Sequence, residues 1–229
     1  MIKMDLNERN QNMRNFFNNK IDTYDDVHKE FIKTKNSLAD SLRESDMEIL
    51  DLGAGTGLEL IHLFEIKPNA HITAIDISEK MLEKLKERPF KDRVQIISGD
   101  FFEVDFGNNY DAVISTSALH HFNREDKIKL YKKIYDSLKE DGIFINSDKI
   151  ASSTEEEQKL LEEYYKFKDV RPHCDTPLSL DSEEHILREA NYKEIEVKPV
   201  DKDNYRLIIA RKWFTHFLVS LIDIDNLVG

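Results

Sequence analysis

Three aspartates, a glycine cluster and a histidine pair are the residues here whose types and spacing could do chemistry. The run ILDLGAGTGLEL, Ile49 to Leu60, sets Gly53, Gly55 and Gly57 around Ala54 and behind Asp51, in a chain with only seven glycines. Glycine permits positive φ and lets a ligand approach the backbone with no Cβ in the way. Amides at the start of a following helix add donors and positive dipole character. The run therefore reads as a cradle for a polar or anionic group. A dinucleotide fingerprint starting at Gly53 requires glycine at position 58, where Leu58 stands, and no lysine lies nearby to make a phosphate loop.

Asp76 follows 19 residues beyond Gly57. A carboxylate there accepts both hydroxyls of a ribose held beside the turn, or else caps the helix that begins behind it. Gly99-Asp100-Phe101 offers an acceptor for a purine amino group and an apolar wall, although Gly-Asp is also ordinary turn chemistry. Taken together they outline a nucleoside-shaped pocket, with glycines for the tail, Asp76 for the sugar and Asp100 for the base. His120 and His121 add groups that titrate near neutrality. One of them is a candidate general base; the competing reading packs one beneath the ligand and sets the other against a helix start. No ligand spacing supports a metal on this pair with His173 and Cys174.

These residues need elements to position them. MEILDL, HITAID, RVQIIS, YDAVIST and GIFINS are short, apolar and rich in branched residues, as strands are. LELIHLFEI, SEKMLEKLKE and NREDKIKLYKKIYDSLKE separate them with helical periodicity, and Asn123 is placed to cap the last. Alternation of this kind predicts crossover connections and a mostly parallel sheet covered on both faces. Residues 8–43 read as helical. Thr154 with Glu157, and Asp181 with Glu184, read as capping pairs for two later helices. YKEIEVKPV and YRLIIARK, joined by DKDN, suit a closing hairpin, so the sheet is expected to end in an antiparallel strand. The last residues, from Trp213, have the apolar spacing of a terminal helix.

Composition bounds the rest. The chain has 229 residues, 40% hydrophobic and 34% charged, enough for one α/β unit with a substantial core. Its formal net charge of −12 opposes broad electrostatic capture of nucleic acid or an anionic membrane. A polar start without the apolar core of a secretory signal, and a single cysteine, Cys174, predict a cytoplasmic protein. A monomer or homodimer is expected, with no membrane partner.

ILDLGAGTG, AIDISEKML, GDFFEVDF, YDAVISTSALHHF and LKEDGIFIN, in this order over residues 47–147, resemble the class I S-adenosylmethionine (SAM)-dependent methyltransferases. The resemblance implies a Rossmann-like, doubly wound seven-stranded sheet with an antiparallel last strand, N-terminal helices and a helical insertion before strand 6. It also implies SAM as cofactor and S-adenosylhomocysteine as product. On that likeness Asp51 to Gly57, with Ala54, would cradle the methionine part and Asp76 the ribose. Ile77 would lie on the adenine, Asp100 and Phe101 at its edge, and Thr116 near the amino acid end. The division that follows is a lid over 1–45, a SAM-binding core over 46–148, an acceptor-side insertion over 149–190, a closing hairpin over 191–212 and a terminal helix over 213–229. ALHHF looks most like the branch that methylates small molecules, including ubiquinone-type enzymes. Ser115-Thr116-Ser117-Ala118 stands where amino-methylating enzymes often carry Asn/Asp-Pro-Pro-Tyr. The layout also resembles carboxy-SAM synthase, which modifies the cofactor for tRNA chemistry. Tyr24 and His28 in the lid, with Tyr165 and Arg171 in the insertion, are the expected neighbours of a small-molecule acceptor.

Overall fold

The computed structural model describes residues 6–170 and 173–213. Seven strands form one sheet in the order β3-β2-β1-β4-β5-β7-β6: β1 (Glu48–Leu52), β2 (His71–Asp76), β3 (Val94–Ser98), β4 (Tyr110–Thr116), β5 (Leu138–Lys149), β6 (Glu194–Pro199) and β7 (Tyr205–Arg211). The first five are parallel, as the crossover helices require. β7 runs antiparallel between β5 and β6, which is the predicted closing hairpin.

Because side chains alternate across a strand, β1 feeds both faces. Leu50 and Leu52 enter one apolar layer with α5 (Arg124–Ser137) and α7 (Leu180–Glu189). Ile49 enters the other, with α2 (Ile32–Ala39) and α3 (Leu58–Ile66). All three β1 side chains are fully buried, and each contributes about 1.5–3 kcal/mol by leaving water. A buried polar cluster joins α5 to α7, where Glu183 pairs with Lys127 and accepts the Tyr131 hydroxyl at 2.6 Å.

Three expectations need correction. The helix read through Glu140 stops at Ser137, and Leu138 already pairs with Tyr110, so β5 is longer than GIFINS. The stop has a cap: the Lys212 ammonium accepts no proton but donates to the Tyr135 and Leu138 carbonyls at 3.1 and 2.7 Å. The two later helices are capped by serines that precede the residues predicted. Ser153 accepts from the Glu156 amide to start α6 (Thr154–Phe167), and Ser179 accepts from the Ser182 amide to start α7. Both serines are extended, the conformation a cap needs, whereas Thr154 and Asp181 are already helical. The N-terminal helical region is α1 (Leu6–His28), a short 3-10 turn, then α2. Arg171 and the expected terminal helix beyond Trp213 lie outside the described residues. Among those residues no helix is long and apolar enough to cross a membrane.

Candidate active site

Strands β1 to β4 deliver their last residues to one edge of the sheet, where a sharp turn follows each. After β1 the chain passes Gly53, Gly55 and Gly57 at φ of 79°, 52° and 72° before α3 begins. A Cβ on Gly53 would stand 2.5 Å from the Ala118 Cβ, and one on Gly55 would fill the space toward the Tyr24 hydroxyl, 3.7 Å away. The turn is tied to β2. The Gly53 and Ala54 amides donate to the Ile75 carbonyl at 2.8 and 3.3 Å, and the Gly55 amide donates to Asp76 at 2.8 Å. The other Asp76 oxygen accepts the Ser78 amide at 2.7 Å. Ser78, rather than Asp76, caps α4 (Glu79–Leu85) through its side chain. Burial pushes the Asp76 carboxyl up to about 6, although the Ser78 and Gly55 amides pull the other way.

The result is a cleft of about 630 Å³ lined by Gly53, Gly55, Asp76, Ile77, Asp100 and Phe101 among others. Asp51, Ala54, Gly57 and Thr116 do not line it; they are buried in the wall behind. That wall carries unusual polarity. The Thr116 hydroxyl meets no hydrogen-bond partner, and the Asp51 carboxyl faces that of Glu59. Burial, then the Glu59 carboxyl beside it, drives the Asp51 carboxyl well above the usual range. Lys35 of α2 donates to Glu59 at 2.8 Å, both groups being buried, as the buried Glu59 charge requires a partner.

Helix α1 roofs the cleft and contributes residues with no sequence motif. Asn10, Met13, Phe17 and Tyr24 all line it. Its polar residues reach each loop in turn. The Asn10 amide donates to Asp100, the Arg14 guanidinium to the Ile77 carbonyl at 3.2 Å, and the Ser78 hydroxyl to Asn18 at 2.8 Å. Asp25 accepts from the Thr56 hydroxyl at 2.6 Å and from Arg88 at 2.8 Å.

Beside the cleft lies a second chamber of about 810 Å³, in which His28, His120, His121 and His173 meet Lys20 and Tyr205. Phe17, Tyr24, Ser117 and His121 line both cavities and so mark their junction. Ser117 takes φ of 52°, a conformation that turns the chain out of β4. Asp148, at the end of β5, holds the following turn by accepting the Leu119 and His120 amides at 2.9 Å each and His120 Nδ1 at 2.6 Å. Burial alone would raise its carboxyl, but His120 brings it below the ordinary value. His121 Nδ1 lies 2.5 Å from the Cys174 carbonyl, which only accepts. That nitrogen therefore carries the proton, and Nε2 is left with its lone pair. Burial, with His120 and His173 close by, lowers the His121 pKa well below the usual imidazole value. Tyr24 stacks on His28 at 3.9 Å, and burial raises its phenol to about 12. Tyr165 lines neither cavity; it packs on Tyr164 instead. Among the described residues no three side chains are grouped to hold a metal.

A family model described as a methyltransferase domain matches residues 49–142. The carboxy-S-adenosyl-L-methionine synthase of Nautilia profundicola is 30% identical over 187 residues, covering 74% of this chain and 80% of that protein. The chain belongs to the class I SAM-dependent methyltransferases. A malonyl-[acyl-carrier protein] O-methyltransferase of Priestia megaterium is 35% identical over 60% of the chain, which spans about half of that relative, 51%. Human N-acetylserotonin methyltransferase, solved with SAM, superposes with a TM-score of 0.67 at 19% identity, over 86% of this chain and 56% of that one; at this identity the likeness shows the fold.

This methyltransferase has a cleft that fits the family cofactor. The acceptors Asp76 and Asp100 stand on successive loops, the Gly55 turn leaves open the space a Cβ would take, and the unpartnered Thr116 hydroxyl is buried at the end of β4.

Proposed function

We propose that this methyltransferase transfers the methyl of SAM to an oxygen of a small-molecule acceptor bound in the histidine chamber, with His121 taking the proton. The observation that carries this reading is the position of His121 at the junction of the two cavities, with Nδ1–H committed to Cys174 and Nε2 free to accept. When bound, SAM supplies a methyl made electrophilic by its sulfonium. The chain's part is alignment, proton removal and exclusion of water. Asp76 would hold the ribose hydroxyls, Asp100 the adenine amino group and Ile77 one face of the base. The glycine turn and the wall at Asp51 and Thr116 would receive the amino acid end. His120, held by Asp148, positions its neighbour rather than meeting the methyl.

Labelled-methyl transfer on a metabolite extract, with the product identified by mass, tests the activity. His121→Gln should lower kcat by about 10²–10⁴-fold with S-adenosylhomocysteine affinity retained. Since the His121 pKa is depressed, the acid limb of the native kcat/KM profile should fall well below pH 6.5. Full activity in His121→Gln would remove the base from the scheme.

A second reading is favoured by the 30% identity to a carboxy-SAM synthase over four fifths of that enzyme. There the cofactor's own sulfonium substituent is the product. The mass of the sulfonium retained by the purified protein decides between the two, because a carboxylated cofactor is heavier than SAM.

A further inference from the structure

We propose that the acceptor carries, apart from its reacting hydroxyl, an anionic group of the carboxylate or phosphate class, received on the Lys20 side of the histidine chamber. This rests on the methyl-transfer reading above. The chain has 45 aspartates and glutamates against 33 lysines and arginines, yet among the described residues no carboxylate lines this chamber. Lys20 of α1 lines it instead, with its ammonium 5.7 Å from the centre of the Phe16 ring. Two carboxylates stand against His120 without lining the chamber, and each is engaged. Asp148 accepts from His120 Nδ1 and from two backbone amides. Asp175 holds the Lys149 ammonium at 2.8 Å through one oxygen, and the other lies 3.9 Å from His120 Nε2.

The same bias is felt by the rings inside. At His121, burial is joined by His120, His173 and Lys149 in disfavouring a charged imidazole, against the Cys174 carbonyl. At His173, burial is joined by His120, Lys149 and Lys20, against Asp175, and the pKa falls to about 4. The chamber thus gathers cationic influence within a strongly acidic chain. A protonated amine entering it would meet like charge, whereas an anion relieves that repulsion. An anchor at Lys20 also supplies a second point of attachment, which fixes the hydroxyl against His121. Phe16, Phe17 and Tyr205 in the wall suit an aryl carrier for the charge.

Phenylacetate, 2-phenylethanol and 2-phenylethylamine are similar in shape and differ in charge. Calorimetry on the full chain saturated with S-adenosylhomocysteine ranks them, and because that ligand lacks the sulfonium charge the ranking belongs to the protein. Phenylacetate should bind about tenfold or more tightly than the amine, with the alcohol between, and its affinity should fall as salt is raised. Phenyl phosphate, run beside it, separates the two anion classes by which of them binds more tightly. Lys20 is exposed and does not line the cofactor cleft. Lys20→Gln should therefore weaken phenylacetate about threefold while leaving 2-phenylethanol and S-adenosylhomocysteine affinities unchanged. Equal affinities for the three probes, tightest binding of the amine, or no probe bound by a protein that binds S-adenosylhomocysteine would each overturn the anionic acceptor. Phenylacetate affinity untouched by Lys20→Gln would overturn its placement. Failure to bind S-adenosylhomocysteine at all would instead strike the underlying methyl-transfer reading.

Discussion

Asp76 holds the glycine turn in place and faces the cleft, and its protonation state links the two roles. Its carboxyl sits near 6, above the ordinary 3.8, so the native state binds this proton more tightly than the unfolded chain does. The stability this contributes is full below 3.8 and is lost as pH rises through about 6. In the role proposed for Asp76, both carboxylate oxygens accept ribose hydroxyls, which requires the ionised form, so affinity runs the opposite way. S-adenosylhomocysteine binding should weaken about tenfold between pH 7 and pH 5 and should release a proton near pH 5.5, read by calorimetry in two buffers of different ionisation heat. Asp76→Asn should flatten that profile; an unchanged slope would place the titrating group elsewhere. At this scale the sequence made Asp76, Asp100 and the glycines legible because each sits at a fixed distance from a strand end. Asn10 and Met13 carried no such mark, since only the path of α1 brings them over the cleft. Asp148 had a weak one: it is an aspartate inside the buried strand β5, where an unpaired carboxylate would be costly.

Among the elements, the turn between β1 and α3 is the least replaceable. Gly53 and Gly107 both have positive φ, 79° and 72°, but a Cβ at Gly107 would meet nothing within 4 Å. Gly107→Ala should therefore cost about 1–2 kcal/mol from backbone strain alone. Gly53→Ala adds a clash with Ala118, two residues before His120, so its loss should be larger and should reach both cavities. Thermal melts of the two variants, with S-adenosylhomocysteine titrations, measure the difference. Equal losses would show that the turn moves freely away from Ala118. β2 and β4 match their sequence spans, because alternating branched residues bounded by turn formers have one good solution. The boundary of α5 did not, because its end is set by Lys212, 77 and 74 residues away from the carbonyls it caps. Such a contact is invisible to local periodicity.

For the whole molecule, the negative charge and the doubly covered sheet follow from composition and alternation, whereas the placement of α1 does not. That helix closes over the cleft by four polar contacts to three successive turns, at Thr56 after β1, Ile77 and Ser78 after β2, and Asp100 after β3. A roof fastened at so many points protects a reaction from water, and it equally detains whatever has been made. Turnover should then be governed by departure rather than by bond formation. Rapid mixing should give a burst of methylated product followed by a slower steady rate. Asp25→Asn, which loosens the fastening to Thr56 and Arg88, should raise the steady rate without enlarging the burst. A linear time course from the first turnover would mean that the roof lifts faster than the methyl moves. With the burst confirmed, the enzyme's speed in a cell would depend on how quickly spent cofactor is cleared, making α1 a timer as much as a cover.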